Sequence, residues 1–386
     1  MTIDELPTPC LIVDRGRLER NLASMQEKAT ANSVALRPHV KTHKSVALAR
    51  KQLDQGAVGI TVAKVGEAER FVAAGFDDVR IAYPVIGTDK WERVRDLQNR
   101  ARISFCVDTF EGAQAASGFF DGSGAKAEIL LEVNSGHNRC GVSPADPRSV
   151  DLARRVAELP GLHLAGILTH AGQSYHGPAE NESAEDSLRR VSCHERDTML
   201  QFAARLADAG IAERGAFEIS IGSTPSMRYF ENIDLDGFRI TEIRPGNYVF
   251  HDAIQVGLGV ADLEQCALTA LTTVVSRHRT DGRDRLFVDA GKKVLTSDTG
   301  ARTSGFGVLL YNPRTMEPLP HASITGLSEE HGWIEVGGGS TLSVGDRVRI
   351  VPNHACVAVN TQDLLYVVDG DEVVDTWPVD ARGAVI

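Results

Sequence analysis

Lys41 stands in the run Arg37-Pro-His39-Val-Lys41-Thr-His43-Lys44, at the end of the first β-branched stretch that reads as a buried strand. A crowded lysine loses its charge more readily than an exposed one, and a neutral amine can form a Schiff base with an aldehyde cofactor. The competing reading makes Lys41 and Lys44 solvated loop charges. A second group is Gly222-Ser223-Thr224-Pro225-Ser226. Its glycine lets the backbone approach a ligand, and its hydroxyls and free amides fall at the start of an expected helix, where phosphate is favoured. The alternative is a plain helix cap, with Ser223 or Thr224 capping and Pro225 at the first helical position. A third group, Val351-Pro-Asn-His354-Ala-Cys356, spaces an imidazole and a thiol two residues apart. In an extended segment such residues share a face and can share one metal ion. A nitrogen and a thiolate suit zinc better than magnesium or manganese. His163, His278 and His321 read as surface or packing residues, and His331 as a possible neighbour of the metal pair.

These residues need elements to hold them. Eight short β-branched runs, at 34–40, 59–65, 79–85, 102–108, 127–134, 164–171, 216–223 and 239–246, alternate with helical patterns. Eight such units over roughly 220 residues is the size of a (β/α)8 barrel, whose active site lies at the C-terminal strand ends. A doubly wound open sheet is the competing fold, but the Gly-rich phosphate turn expected after its first strand is missing. Strand one delivers His39 and Lys41, and strand five the loop Asn134–Gly141 with Arg139. Strand six ends in Thr169-His170-Ala-Gly-Gln-Ser-Tyr175-His176. Strand seven runs into Gly222–Ser226, and strand eight into Arg244-Pro-Gly246-Asn-Tyr248.

Beyond residue 255 the pattern changes to alternating runs at 267–277, 285–289, 332–336, 346–351 and 364–368. They are separated by turn pairs such as Asp281-Gly282 and Asp369-Gly370. This predicts an antiparallel β domain. The expected organisation is a barrel over residues 20–255 and a β domain over 256–386, with residues 1–19 adding a strand at 11–14. The fold class is thus α/β: a TIM barrel followed by a metal-bearing β domain.

With 42 % apolar and 24 % charged residues, the 386-residue chain reads as a soluble globular protein. A net charge of −11 and the lack of a basic run argue against nucleic acid. No apolar stretch is long enough to span a bilayer. The acidic start Met-Thr-Ile-Asp-Glu-Leu is unlike a secretory signal, and the six scattered cysteines fit reduced thiols. The expectation is a cytoplasmic enzyme acting on a small molecule, without nucleic-acid or membrane partners.

Five motifs occur in order: Arg-Pro-His-Val-Lys-Thr-His-Lys, Thr-His-Ala-Gly-Gln-Ser-Tyr, Gly-Ser-Thr-Pro-Ser, Glu-Ile-Arg-Pro-Gly-Asn-Tyr-Val-Phe and Asn-His-Ala-Cys. Together they resemble the D-serine dehydratase / D-threonine aldolase family of fold-type III pyridoxal phosphate enzymes, built on the alanine racemase barrel. The resemblance spans nearly the whole chain. It implies pyridoxal 5'-phosphate held by Lys41 as Schiff-base lysine, with Gly222, Ser223 and Thr224 around the phosphate, joined by Tyr248. It also implies Arg139 near the phenolic oxygen, and His39, His170, Tyr175 and Gly246 as neighbours of the cofactor. His354 and Cys356 would hold a divalent metal, zinc first, with manganese or magnesium as alternatives. A homodimer acting on D-amino acids with a β-hydroxyl is implied as well.

Within the family, dehydratases resemble this chain in carrying His-X-Cys, whereas the aldolases carry His-X-Asp, suited to manganese. The thiolate favours dehydration of D-serine or D-threo-3-hydroxyaspartate to keto acid and ammonia. His176 favours the alternative, aldol cleavage to glycine and an aldehyde, since it falls where aldolases carry a histidine taken as the base on the hydroxyl. A racemase is less favoured, because no second-domain tyrosine motif stands out. A non-catalytic cofactor-binding protein would generally lack the second domain.

Overall fold

Asp14 ends the first strand and starts the first helix. The strand β1 (Cys10–Asp14) is buried over its first four residues, and the Asp14 carboxylate accepts the Arg17 amide at 2.9 Å, capping α1 (Arg15–Ala31). The structure is a computed structural model and describes residues 1–280 and 282–386. Asp281 of the expected Asp281-Gly282 turn therefore lies outside the described residues.

After α1 come β2 (Ala35–Leu36), α2 (Val46–Asp54), β3 (Ile60–Val62), α3 (Val65–Ala73), β4 (Asp78–Pro84) and α4 (Thr88–Gln98). They are followed by β5 (Arg102–Val107), α5 (Phe110–Gly122), β6 (Ala127–Val133), α6 (Pro147–Ala157), β7 (Leu162–Thr169), α7 (Ala184–Asp208), β8 (Glu218–Ile221) and β9 (Glu242–Ile243). The eight strands β2 to β9 form one parallel sheet in the order β2-β9-β8-β7-β6-β5-β4-β3. The two ends of that order meet through a parallel His39–Thr61 bridge, with the Thr61 amide on the Pro38 carbonyl at 2.9 Å, so the barrel closes. The expected strands at 34–40 and 239–246 are much shorter than their apolar runs. Their ends bend inward to carry His39, Lys41, Arg244 and Gly246 towards the barrel mouth. No α-helix joins β8 to β9, since only a three-residue 3-10 turn, Pro225–Met227, follows β8.

Below the mouth the barrel is filled by ions rather than by aliphatic layers. The Glu242 carboxylate meets Arg37 at 2.6 Å and Arg80 at 2.5 Å, and Ser220 Oγ donates to it at 2.5 Å. Arg80 also pairs with Glu218 and reaches Ser104 Oγ at 3.1 Å, while Arg37 pairs with Asp78 at 2.6 Å. Every buried charge there has opposite neighbours and hydrogen bonds, the condition under which ions survive desolvation. An apolar cluster of Cys106, Leu130 and Leu168, with Ala82 packed against it, forms a separate patch, of which Ala82 and Leu168 line the cavity.

The chain then crosses into the second domain through α8 (Ala253–Gly257), β10 (Leu268–Thr280), β11 (Arg283–Val288), α9 (Lys292–Leu295) and β12 (Val308–Leu309). It ends with β13 (Ala322–Leu327), β14 (Gly332–Val336), β15 (Arg347–Val351), α10 (Ala355–Asn360), β16 (Leu364–Asp369) and β17 (Glu372–Pro378). The sheet runs β13-β14-β11-β10-β1-β16-β17, with β15 on β10 and β12 on β15. It is not wholly antiparallel as expected. The N-terminal strand β1 pairs antiparallel with β10 but parallel with β16, because it enters from the opposite end of the sheet. Apolar side chains of both domains pack around Tyr248, Leu18 and Leu48. No described helix is long and apolar enough to cross a membrane, and all six cysteines are unpaired.

Candidate active site

A cavity of about 980 Å³ opens at the C-terminal ends of the barrel strands. His39, Lys41, Arg139, His170, Tyr175, His176, Gly222, Ser223, Thr224, Gly246, His354 and Cys356 all line it. The residues singled out in sequence thus converge, with one exception.

Lys41 lies in a 3-10 turn, Val40–Thr42, that starts at His39, whose Nδ1 accepts the Lys41 amide at 3.4 Å. Burial lowers the affinity of the Lys41 amine for its proton, and the nearby Arg139 and Arg244 charges lower it further, against the opposing pull of Cys356 and Glu67. The amine has no hydrogen-bond or ion-pair partner among the described residues. Lys44, by contrast, is buried and committed, pairing with Glu67 at 3.1 Å and donating to Asn360 Oδ1 at 2.7 Å. It is not a solvated loop charge. Burial and the cations around them hold His39 and His170 well below the usual imidazole range, so both are neutral.

The hydroxyl-rich turn after β8 is built as a cradle. Gly222 has φ +128°, and a Cβ there would stand 2.9 Å from the Arg244 amide nitrogen, so only glycine fits. Ser174 and Ser223 hydroxyls meet at 2.9 Å, and Ser223 reaches Ser226 at 3.0 Å. Glu195, wholly buried on α7, accepts the Gly222 amide at 3.0 Å and pins the turn from below. Gly246 faces it, where a Cβ would lie 2.8 Å from the His39 carbonyl oxygen. The expected helix N-terminus is not there. Pro225–Met227 is a single 3-10 turn, too short to sum peptide dipoles, so hydroxyls and backbone amides carry any anion.

Tyr248 is the exception. Its ring is buried outside the cavity, and its hydroxyl accepts from Gln52 Nε2 at 3.0 Å. Gln52 Oε1 in turn takes His43 Nε2 at 3.2 Å, and His43 Nδ1 accepts the Ser45 amide at 3.1 Å. The placement of Tyr248 at the phosphate is therefore corrected. The ring packs between the domains, and only its backbone amide approaches the cradle, donating to Thr224 Oγ1 at 3.1 Å.

His354 and Cys356 meet by a route other than the one expected. His354 is extended and caps α10, in which Cys356 is the second residue, so they are not successive same-face positions of a strand. Asp252 fixes this start by accepting the Ala355 amide at 2.9 Å and the Asn247 side chain at 2.5 Å. The two side chains still line the same cavity. Burial opposes both charges, yet the thiolate, with Asp252 and Asp298, raises the His354 pKa, while His354 and Lys41 lower that of Cys356. The thiol is thereby drawn towards the thiolate a metal binds, whereas His354 must give up a proton to ligate. No group of three or more His, Cys, Asp or Glu side chains is arranged to hold a metal ion among the described residues. Such a pair leaves coordination positions for water or substrate.

Several lining groups escaped the sequence reading. Glu132, in the barrel mouth, accepts the Cys140 thiol at 3.0 Å and leaves Oε2 unpartnered. His137 packs against both His170 and His176, with ring centroids 6.0 Å apart in each case. It lies within the Asn134–Gly141 loop, whose Asn134 Oδ1 collects the Gly136 and Asn138 amides at 3.0 Å. Arg139 is half exposed, 3.6 Å from Glu132. His163, His278, His321 and His331 are all exposed and none lines the cavity.

A buried unpaired lysine, a glycine-and-hydroxyl cradle and neutral imidazoles in one barrel mouth fit an aldehyde cofactor bearing a phosphate. The alanine racemase N-terminal domain model matches residues 13–253, and a model described as "Putative serine dehydratase domain" matches 267–368. The chain belongs to this family of alanine racemase-like, pyridoxal phosphate-dependent proteins. It is 33 % identical over 385 residues to the D-threo-3-hydroxyaspartate dehydratase of Delftia sp. (strain HT23), covering 97 % of this chain and 98 % of that one. It is 33 % identical over 380 residues to the D-threonine aldolase of Arthrobacter sp., covering 97 % and 93 %. A D-threo-3-hydroxyaspartate dehydratase, solved as a cysteine-to-alanine mutant in the metal-free form, superposes with TM-score 0.88 at 32 % identity over 98 % of both chains.

Proposed function

We propose that this protein is a pyridoxal phosphate- and metal-dependent lyase that dehydrates D-3-hydroxy amino acids, such as D-serine or D-threo-3-hydroxyaspartate, to a keto acid and ammonia. The observation that carries the reading is that Lys41 and the His354–Cys356 pair, from different domains, face one cavity beside the cradle. Lys41 would hold the cofactor aldehyde, and the Gly222–Thr224 turn its phosphate. Pyridoxal phosphate when bound supplies an electron sink at the substrate Cα, and a divalent ion supplies a Lewis acid at the β-hydroxyl.

The chain's own residues do the rest. With its proton affinity lowered by burial, Lys41 serves as the base that takes the Cα proton. His39 and His170, kept neutral, add no charge that would repel it. His354 and Cys356 would place the ion, and the soft thiolate favours zinc over manganese. Overall, water leaves the substrate, and water then returns as ammonia is released. Tyr83 and Ile86, exposed at the cavity rim, supply apolar surface for the partner subunit of a homodimer.

The aldolase reading rests on His176, which is exposed at the cavity wall and stacked near His137. A histidine base there would take the β-hydroxyl proton, leading to Cα–Cβ cleavage. Product analysis separates the two. D-serine, D-threonine and D-threo-3-hydroxyaspartate are offered to metal-stripped enzyme restored with zinc or with manganese. Keto acid and ammonia, highest with zinc, are expected; glycine and an aldehyde, highest with manganese, would reverse the assignment.

A further inference from the structure

The half-buried carboxylate of Asp298 meets His354 Nδ1 at 2.6 Å. A carboxylate only accepts, so Nδ1 carries a proton and Nε2 is the nitrogen left to ligate a metal. That leaves Nε2 available on the side of the ring that does not face Asp298. The loop that carries Asp298 is itself tied to the segment that carries His354. Asn353, buried and directly before His354, donates from one amide nitrogen to the Asp298 carbonyl and to the Gly305 carbonyl, each at 2.9 Å. Gly305 closes that loop at φ +68°, where a Cβ would stand 2.3 Å from the Ile324 carbonyl oxygen. Asp252, the other nearby carboxylate, is spent on the Ala355 and Gln255 amides and the Asn247 side chain.

We propose that Asp298 is a positioning residue for the metal, fixing the tautomer and ring orientation of His354 as the outer member of a carboxylate–histidine–metal triad. The assignment rests on the metal reading above. A carboxylate on the far nitrogen raises ligand basicity, and loss of such a partner typically costs about 10–100-fold in metal affinity. The bland alternative is a surface ion pair, which would leave metal affinity untouched.

The test is zinc binding by the pyridoxal phosphate-loaded enzyme, stripped with a chelator and titrated against a chromophoric competitor. Asp298→Ala is expected to raise the zinc Kd about 10–100-fold. Asp298→Asn, which keeps an acceptor but loses the charge, is expected to fall in between. Cofactor absorbance and the metal-free Tm should stay at wild-type values in both. A wild-type zinc Kd in Asp298→Ala overturns the proposal. If Asp298→Ala also lowers the metal-free Tm, Asp298→Asn decides: unchanged zinc affinity there overturns it, and weakened affinity at unchanged Tm supports it. His354→Ala is the control for the underlying reading. Wild-type zinc affinity in that variant would show that the metal site itself is misassigned.

Discussion

The Thr42 hydroxyl and the Cys356 thiol, 314 residues apart in sequence, meet at 3.2 Å. Thr42 follows Lys41 directly, so one contact ties the amine-bearing turn of the barrel to the thiol-bearing helix of the second domain. The hydroxyl also lowers the proton affinity of the thiol, adding to the effects of His354 and Lys41. Thr42→Val keeps the shape and removes the donor. It should lower activity several-fold at limiting zinc, with wild-type activity restored at saturating zinc. Equal zinc dependence in mutant and wild type would show that the contact has no role in holding the ion.

Lys41→Ala removes the only unpaired buried amine that lines the cavity among the described residues. Borohydride should fix pyridoxal to the wild-type chain and not to the mutant. Loss of the base should cost turnover about 10²–10⁴-fold even with added amine. Reductive labelling that persists in Lys41→Ala would move the cofactor to another lysine.

Glu242 makes the barrel floor sensitive to acid. Burial opposes its charge, but Arg80, Arg37 and Arg244 outweigh that and hold its pKa at about 2, below the ordinary 4.5. A depressed folded pKa means the contribution is complete above about pH 4.5 and is lost as pH falls through about 2. The difference corresponds to about 3 kcal/mol. Glu242→Gln, which leaves Arg37 with Asp78 and Arg80 with Glu218 as their remaining carboxylates, should destabilise by about 3 kcal/mol at neutral pH. Its Tm should also fall less steeply than wild type between pH 5 and 3, measured as about a few degrees by calorimetry. Identical pH slopes would remove Glu242 from the acid transition.

Tyr248→Phe tests the corrected position of that residue. The change strands Gln52 Nε2 in the interface between the domains and should cost about 1–3 kcal/mol in denaturant unfolding. Pyridoxal phosphate affinity should be unchanged. A large loss of cofactor affinity at wild-type stability would return Tyr248 to the phosphate site.

Much of this architecture was legible in the chain. The eight β-branched runs and their helical partners identify a barrel, because strand and helix periodicities are local properties of a few residues. The motif residues Lys41, Gly222–Thr224 and His354–Cys356 could be read for the same reason: their chemistry resides in side-chain type and short spacing. The ion pairs inside the barrel could not be read. Arg37, Arg80 and Glu242 look like ordinary surface charges until closure of the sheet brings their side chains within 2.6 Å.

Other outcomes also depended on packing. Tyr248 follows Gly246 closely in the strand-eight motif, but a buried hydroxyl needs a partner, and Gln52 of α2 supplies it. Asp298 carries no motif, and only the fold of its loop sets it against His354. Local sequence therefore determined which groups could do chemistry and on which elements they lie. Tertiary structure alone decided which of them face one another, because burial, closure and long-range partners are properties of the whole chain.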